Sequence, residues 1–251
     1  MKKFFILFCF ISSLFASSFE DDLAKKVFDD FKASGTIVLY DGKDFLGHNK
    51  TRAYKDFTPA STFKIFNSLI ALESKTLSSV DEVFYKYDGS KVYLPTWAKD
   101  SNLRYAIKVS QVPAYKYLAR KIGLENMQKY LNKLHYGNMK IGKEIDNFWL
   151  NDELKISAIN QAELLYKLAL NSLDFDKTNQ EKVKEIMLLE SDKNYKLYGK
   201  TGLNHGIGWF VGFVISGDKI YSFALNMDCD SSKLKDREDI VKKYLKAKKL
   251  I

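Results

Sequence analysis

Strand patterns lie at the two ends of this 251-residue sequence, and helical patterns fill the space between them. Strands that are distant in the chain bury their apolar faces most economically in one shared sheet. The pattern therefore predicts an α+β fold (an α/β sandwich), with a mainly antiparallel sheet from both chain ends, flanking helices and a helical subdomain. The alternating segments predicted as strands are 35–40, 45–47, 196–201, 208–215 and 220–227, and those with helical spacing are 20–32, 62–72, 114–122, 125–134, 157–170 and 233–250.

The N-terminus has the features of an export signal. Met1-Lys2-Lys3 is followed by a mostly apolar stretch at 4–15 and by the small residues Ala16-Ser17-Ser18. We therefore predict a cleaved signal peptide over 1–16, an exported, periplasmic protein, and a single domain over 17–251. The alternative is a buried N-terminal helix, which the leading lysines disfavour. Elsewhere no apolar run reaches the ~20 residues of a membrane span, so no anchor is expected in the mature chain.

Charge and residue type argue against several classes of function. The net charge is +9, but lysines alternate with acidic residues along most of the chain, and no basic-aromatic module predicts nucleic-acid binding. His48, His135 and His205 are isolated, so no metal site is expected. No glycine-rich phosphate loop or dinucleotide fingerprint occurs, and no nucleotide cofactor is expected.

The segment Thr58-Pro59-Ala60-Ser61-Thr62-Phe63-Lys64 carries the first chemical candidate. Pro59 indicates a helix start, and Ser61 and Lys64, three residues apart, lie on one helix face. A serine hydroxyl needs a neighbouring base to become a nucleophile, and a helix N-terminus offers free N–H groups to a developing oxyanion. The spacing alone is weak, because Ser216/Lys219 and Ser232/Lys235 repeat it.

Four more segments could contribute to a site, and each has an ordinary structural interpretation. Lys200-Thr201-Gly202 could offer a ligand a cation and a hydroxyl, and its glycine could let the ligand approach the backbone closely. The alternative is an ordinary strand end. Tyr136-Gly137-Asn138 could be a helix C-cap with a left-handed glycine. Ser110 could be the N-cap of the next helix. Phe148-Trp149-Leu150 could be a fragment of the core.

In this order, the segments resemble the class D serine β-lactamases, the oxacillinases. The resemblance extends from about Glu20 to the C-terminus and rests on five ordered motifs. It implies the fold shared by serine β-lactamases and penicillin-binding transpeptidases. The absence of Ser-Asp-Asn from the sequence counts against the class A pattern. The five motifs are Ser61-Thr62-Phe63-Lys64, Ser110-Gln111-Val112, Tyr136-Gly137-Asn138, Trp149-Leu150 and Lys200-Thr201-Gly202.

The resemblance implies a role for each matching residue. Ser61 resembles the acylated nucleophile, and Lys64 resembles the lysine that CO2 converts to a carbamate, the general base. Ser110 resembles the proton donor to the lactam nitrogen, and Lys200 supplies positive potential. The implied binding residues are Thr201, Gly202, Leu203 and Arg237, with the N–H groups of Ser61 and Leu203 as the oxyanion hole. The implied carbamate pocket is Phe63, Val112, Trp149 and Leu150, whereas Tyr136 and Asn138 look structural or cleft-lining.

The resemblance thus implies hydrolysis of penicillin-type β-lactams and resistance to them, with no cofactor other than the CO2-derived carboxylate on Lys64. One alternative is a penicillin-binding peptidase of the cell wall, which shares the serine-lysine chemistry. Another is a sensor domain that is acylated by β-lactams without turnover. A small-molecule β-lactam is the expected partner, and the chain is a monomer or a homodimer.

Overall fold

The computed structural model describes residues 19–251. The predicted signal peptide lies outside the described residues. No helix within 19–251 has the length and apolar character needed to cross a membrane.

Within residues 19–251, six antiparallel strands form one sheet in the order β2-β1-β6-β5-β4-β3. The first strand therefore pairs with the last, as predicted for a sheet that draws on both chain ends. The α+β prediction is confirmed, because one antiparallel sheet is covered by helices on both faces and joined to a helical subdomain. The strands are β1 (Gly35–Tyr40), β2 (Phe45–His48), β3 (Leu188–Ser191), β4 (Tyr195–Asn204), β5 (Ile207–Ser216) and β6 (Lys219–Asp228).

Helices cover both faces of the sheet. Helices α1 and α9 pack together on one face, while α7 packs on β1, β5 and β6 from the other and joins the helical subdomain. The helices are α1 (Asp22–Phe31), α2 (Lys50–Ala53), α3 (Lys64–Glu73), α4 (Leu103–Lys108), α5 (Val112–Ile122), α6 (Leu124–Leu134), α7 (Ala158–Ala169), α8 (Lys177–Met187) and α9 (Asp236–Ala247).

The alternation of side chains along each strand divides the core in two. In β1, Ile37 and Leu39 belong to the cluster beneath α1 and α9, whereas Val38 belongs to the larger cluster that includes the helical subdomain. Successive strand residues point to opposite faces, so one strand serves both clusters. The sheet is thus buried on both faces, which gives the cleft beside it a rigid wall.

The structure corrects the predicted boundaries in three places. Residues 188–191 form the edge strand β3 where the helical pattern was expected to continue, because four residues are too few to show an alternating pattern. Strand β4 extends to Asn204, beyond the predicted end at 201. The last helix covers only Asp236–Ala247 of the predicted 233–250, because a separate 3-10 turn occupies Ser231–Lys233.

Candidate active site

Ser61 lies in a 3-10 turn, Ala60–Phe63, that leads directly into α3. Lys64 begins the helix, and its Nζ lies 2.6 Å from Ser61 Oγ, as the three-residue spacing predicts. The N–H of Ala60 donates to the carbonyl of Trp149 (3.1 Å), which ties the turn to the loop after α6. A serine hydroxyl and a lysine amine are therefore in direct contact.

The amine of Lys64 is enclosed completely by protein. The residue has no exposed surface, and burial, together with the nearby positive charge of Lys200, holds its pKa well below the usual range for lysine. Removal of water disfavours the charged form, so the neutral amine of Lys64 is favoured relative to that of an exposed lysine. A neutral amine can accept the proton of Ser61 or react with CO2.

Tyr115 on α5 is a neighbour of Lys64 that the sequence motifs do not mark. Lys64 Nζ lies 5.4 Å from the centre of its ring. The Tyr115 hydroxyl is 2.8 Å from Ser68 Oγ, and Ser68 in turn donates to the carbonyl of Lys64 (2.8 Å). Tyr115 follows Val112 by three residues, so helical spacing from Val112 was the signal that could have found it.

Trp149 forms an aromatic wall of the same pocket. Its ring centroid lies 5.7 Å from that of Phe63 and 5.0 Å from that of Phe148. The indole Nε1 is buried, and no residue in the part of the chain that the structure describes accepts a hydrogen bond from it. An unsatisfied buried donor is costly, so this N–H is available to an acceptor that enters the pocket. Val112 begins α5, and Leu150 packs partly buried against the core.

Strand β4 provides the opposite wall of the cleft. Among the described strands, β3 pairs with β4 only as far as Tyr198, so the outer edge of Gly199–Asn204 is left without a strand partner. This edge faces the Ser61 turn: a Cβ on Gly202 would lie 3.1 Å from both the Pro59 carbonyl and Thr62 Cγ2. Glycine at position 202 therefore permits the close approach of the two walls.

Two buried cations belong to this wall. Burial and the charge of Arg237 lower the pKa of Lys200 to about 8, and its Nζ donates to the carbonyl of Thr201 (3.0 Å). Arg237, in the first turn of α9, donates to the carbonyl of Gly202 (2.7 Å), and burial lowers its pKa. Leu203, next to them, is 41% exposed. The cations create positive potential that can bind an anionic group.

Ser110 lies in the turn between α4 and α5, five residues before Tyr115. The N-cap interpretation was wrong: Gln111 occupies the cap position, and Ser110 has a left-handed φ of 54°. Since Tyr115 is beside Lys64, the N-terminal end of α5 faces the same pocket. An irregular backbone, rather than a helix cap, therefore places the Ser110 side chain.

The Tyr136-Gly137-Asn138 segment supports the pocket from behind. Tyr136 has no exposed surface, and its ring lies 5.4 Å from that of Phe63. Asn138 donates through its side chain to the carbonyl of Glu153 (2.8 Å). The predicted glycine C-cap was wrong in detail, because the left-handed cap of α6 is His135, although Gly137 also has a positive φ.

The chain is similar over most of its length to known proteins. Residues 30–246 match the transpeptidase family, described as the penicillin binding protein transpeptidase domain. The chain is 41% identical to β-lactamase OXA-19 of Pseudomonas aeruginosa over 97% of this chain and 95% of that protein. It is also 41% identical to β-lactamase OXA-48 of Klebsiella pneumoniae, over 89% and 87%.

A solved structure gives the same result. The class D β-lactamase FUS-1 (OXA-85) of Fusobacterium nucleatum subsp. polymorphum superposes with a TM-score of 0.90 at 52% identity, over 92% of this chain and 99% of that one. The chain therefore has the fold of the penicillin-binding transpeptidase family. Within that larger family, the chain belongs to the class D β-lactamase family.

Proposed function

We propose that the protein hydrolyses the β-lactam ring of penicillin-type antibiotics through an acyl-enzyme on Ser61, and thereby confers resistance to them. The observation that carries this proposal is the 2.6 Å contact between Ser61 Oγ and a fully buried lysine whose pKa is strongly lowered. A serine nucleophile requires a base in contact with it, and a neutral amine, or the carboxylate that it would form with CO2, can be that base. Membership of the class D family supports the choice of substrate.

The steps of acylation can be assigned to residues on both sides of the cleft, the Ser61 turn and strand β4. Thr201 and Arg237 hold the substrate carboxylate, and Lys200 supplies positive potential near Ser110. The backbone N–H groups of Ser61 and Leu203 stabilise the oxyanion. Lys64 takes the Ser61 proton as the bond from Oγ to the lactam carbon forms. The carbon–nitrogen bond then breaks, and Ser110 passes a proton to the leaving nitrogen.

Hydrolysis of the ester requires a base that can activate water. A carboxylate on Lys64, derived from CO2, would supply this base and would be held by Trp149, Phe63, Val112 and Leu150. Two observations fit such a group: the amine is buried and its pKa is lowered, and the indole Nε1 of Trp149 is a buried donor that lacks an acceptor among residues 19–251. Val112 and Leu150 limit access of water to Lys64.

Bicarbonate dependence tests this function. After incubation at low pH in degassed buffer, penicillin hydrolysis should be slow, and added bicarbonate should restore it, because neutral Lys64 adds CO2. The restoration should weaken as the pH falls, since protonation removes the reactive amine. Release of hydrolysed penicillin is followed by absorbance, and an acid-treated class A enzyme is the control.

Other outcomes would identify another function. A folded sample that fails to open a penicillin or a chromogenic cephalosporin in bicarbonate buffer would contradict the proposal. Cleavage of a D-alanyl-D-alanine peptide would indicate a cell-wall peptidase. An adduct on Ser61 that persists for hours in intact-mass measurements would indicate a sensor.

Lys200 gives a second prediction, about pH. Its pKa is about 8, so its ammonium group is present below that pH and is lost above it. We expect kcat/KM for an anionic penicillin to fall as the pH rises through about 8, because the pH dependence of kcat/KM reports the titration of the free enzyme. The fall should come mainly from a higher KM, since loss of the positive charge weakens the attraction of an anionic substrate. Lys200→Arg should move this decline to higher pH, because a guanidinium stays charged across the range. An unchanged profile in that variant would assign the titration to another group.

We also propose that residues 1–16 direct export to the periplasm and are removed there. The basic start, the apolar stretch and Ala16 support this, and the mature domain would begin at about residue 17. The N-terminal sequence of the protein recovered from a periplasmic extract tests the cleavage site. Retention of Met1–Lys3 in that material would contradict it.

A further inference from the structure

Ser110 has a backbone conformation that its sequence does not explain. Its φ of 54° lies in the left-handed region, which residues other than glycine adopt only at a cost in free energy. Its own N–H donates to the carbonyl of Ile107 (3.2 Å), the ordinary bond of a helix end. The surrounding structure must therefore hold Ser110 in place, and the contacts on both sides of it show how.

On the C-terminal side, Gln111 fixes the turn. It has no exposed surface, and its side-chain Nε2 donates to two main-chain carbonyls, those of Trp97 (2.8 Å) and Lys99 (3.0 Å). Its backbone N–H donates to the carbonyl of Ala106 (2.9 Å). An amide nitrogen that faces two carbonyl oxygens has only one favourable orientation, so the side chain is locked.

On the N-terminal side, Trp97 makes the reciprocal contact. Its indole Nε1 donates to the carbonyl of Val109 (3.0 Å), the residue that precedes Ser110. The segment 97–99 therefore accepts two hydrogen bonds from Gln111 and donates one to Val109. Three side-chain bonds bracket a single strained residue, and we call this arrangement the 97–111 clamp.

We propose that Gln111 and Trp97 are positioning residues for Ser110, and that the 97–111 clamp holds the Ser110 hydroxyl where a proton is delivered to the lactam nitrogen. This inference rests on the role proposed above for Ser110. Gln111 and Trp97 themselves need not touch the reacting atoms, because they act through the backbone on either side of Ser110. Loss of the clamp lets the turn relax and moves the hydroxyl, and a displacement of about 1 Å can cost about 100-fold in rate.

A double-mutant cycle tests the clamp. Gln111→Met keeps the length of the side chain and removes both hydrogen bonds. At saturating bicarbonate it should slow the acylation of Ser61 by about 10- to 100-fold, measured in a single turnover by mass spectrometry. In a Ser110→Ala background the same change should slow acylation by less than about threefold, because residues that act through one group are not additive.

The chain offers a matched control in Gln180. This glutamine is also fully buried, and its Nε2 also donates to two main-chain carbonyls, those of Leu173 (3.1 Å) and Phe175 (2.9 Å). Gln180→Met should lower the melting temperature, as Gln111→Met does, without changing the acylation rate. Trp97→Phe removes only the hydrogen bond to the Val109 carbonyl and keeps an aromatic ring. If Gln111→Met does not fold, this variant replaces it in the acylation measurement, and it should also slow acylation.

Each outcome has a distinct meaning. Equal slowing by Gln111→Met with and without the Ser110 hydroxyl, or no slowing by either clamp variant, would overturn the inference and leave the proposed function intact. Normal acylation by Ser110→Ala would instead contradict the role proposed for Ser110, and the clamp inference would fail with it. Slow acylation by Gln180→Met would show that the effect comes from general destabilisation, which also overturns the inference.

Discussion

Replacing Ser61 by alanine should abolish turnover of penicillins, with a loss of about 10⁴-fold or more in kcat. The hydroxyl oxygen is the only heavy atom removed. No other side chain is in hydrogen-bond contact with Lys64 Nζ among the described residues, so no substitute nucleophile is in place. The fold should persist, because the side chain is small and only partly buried. Hydrolysis is measured by absorbance, covalent labelling by intact mass and folding by circular dichroism.

Ser232→Ala is the matched control for this experiment. Ser232 belongs to a second Ser-x-x-Lys sequence, but it lies in an exposed turn, where its hydroxyl donates to Asp230 (2.5 Å). This variant should retain full turnover. Residual labelling of Ser61→Ala by a penicillin at the wild-type rate would show that another residue is the nucleophile.

Replacing Trp149 by phenylalanine should uncouple deacylation from acylation. The change removes the indole N–H and retains a ring against Phe63 and Phe148. A hydrogen bond to a charged group contributes about 1.5–3 kcal/mol. At about 1.4 kcal/mol per tenfold, reactivation should therefore need about 10- to 100-fold more bicarbonate. An acyl-enzyme should accumulate at low bicarbonate and be visible by mass spectrometry.

Trp149→Ala is the harsher variant, since it also leaves a cavity that costs about 3–5 kcal/mol of stability. The control for the phenylalanine variant is Trp209→Phe. Trp209 is equally buried, but its Nε1 already donates to the carbonyl of Thr58 (3.0 Å). It should lose stability and keep the wild-type bicarbonate response. Full activity of Trp149→Phe at low CO2 would contradict the role proposed for the indole.

Patterns that repeat every two to four residues predicted strands, helices and one side-chain contact from the sequence alone. The strand at Gly35–Tyr40 and the contact between Ser61 and Lys64 both follow from local spacing, and both match the structure. Helical spacing also placed α5 and α6 within a residue or two.

Other features depend on contacts between distant segments. Strand β3 is defined by its pairing with β4, and a register shift between Leu188 and Glu190 obscures its alternation. Ser110 adopts a left-handed conformation because Gln111 reaches main-chain carbonyls 12 and 14 residues earlier in an irregular segment. Main-chain carbonyls carry no sequence signal, so a partner of this kind cannot be identified from residue types.

The pairing of the first strand with the last has a consequence for how the protein is made. Ser61 and Lys64 leave the ribosome early, but β4 comes from the last quarter of the chain, and β1 cannot pair with β6 until residue 228 has been synthesised. Contacts this distant in sequence make closure slow. A nascent chain interrupted before β6 would therefore hold the nucleophile without a complete cleft, and activity would arise only after translation has nearly finished.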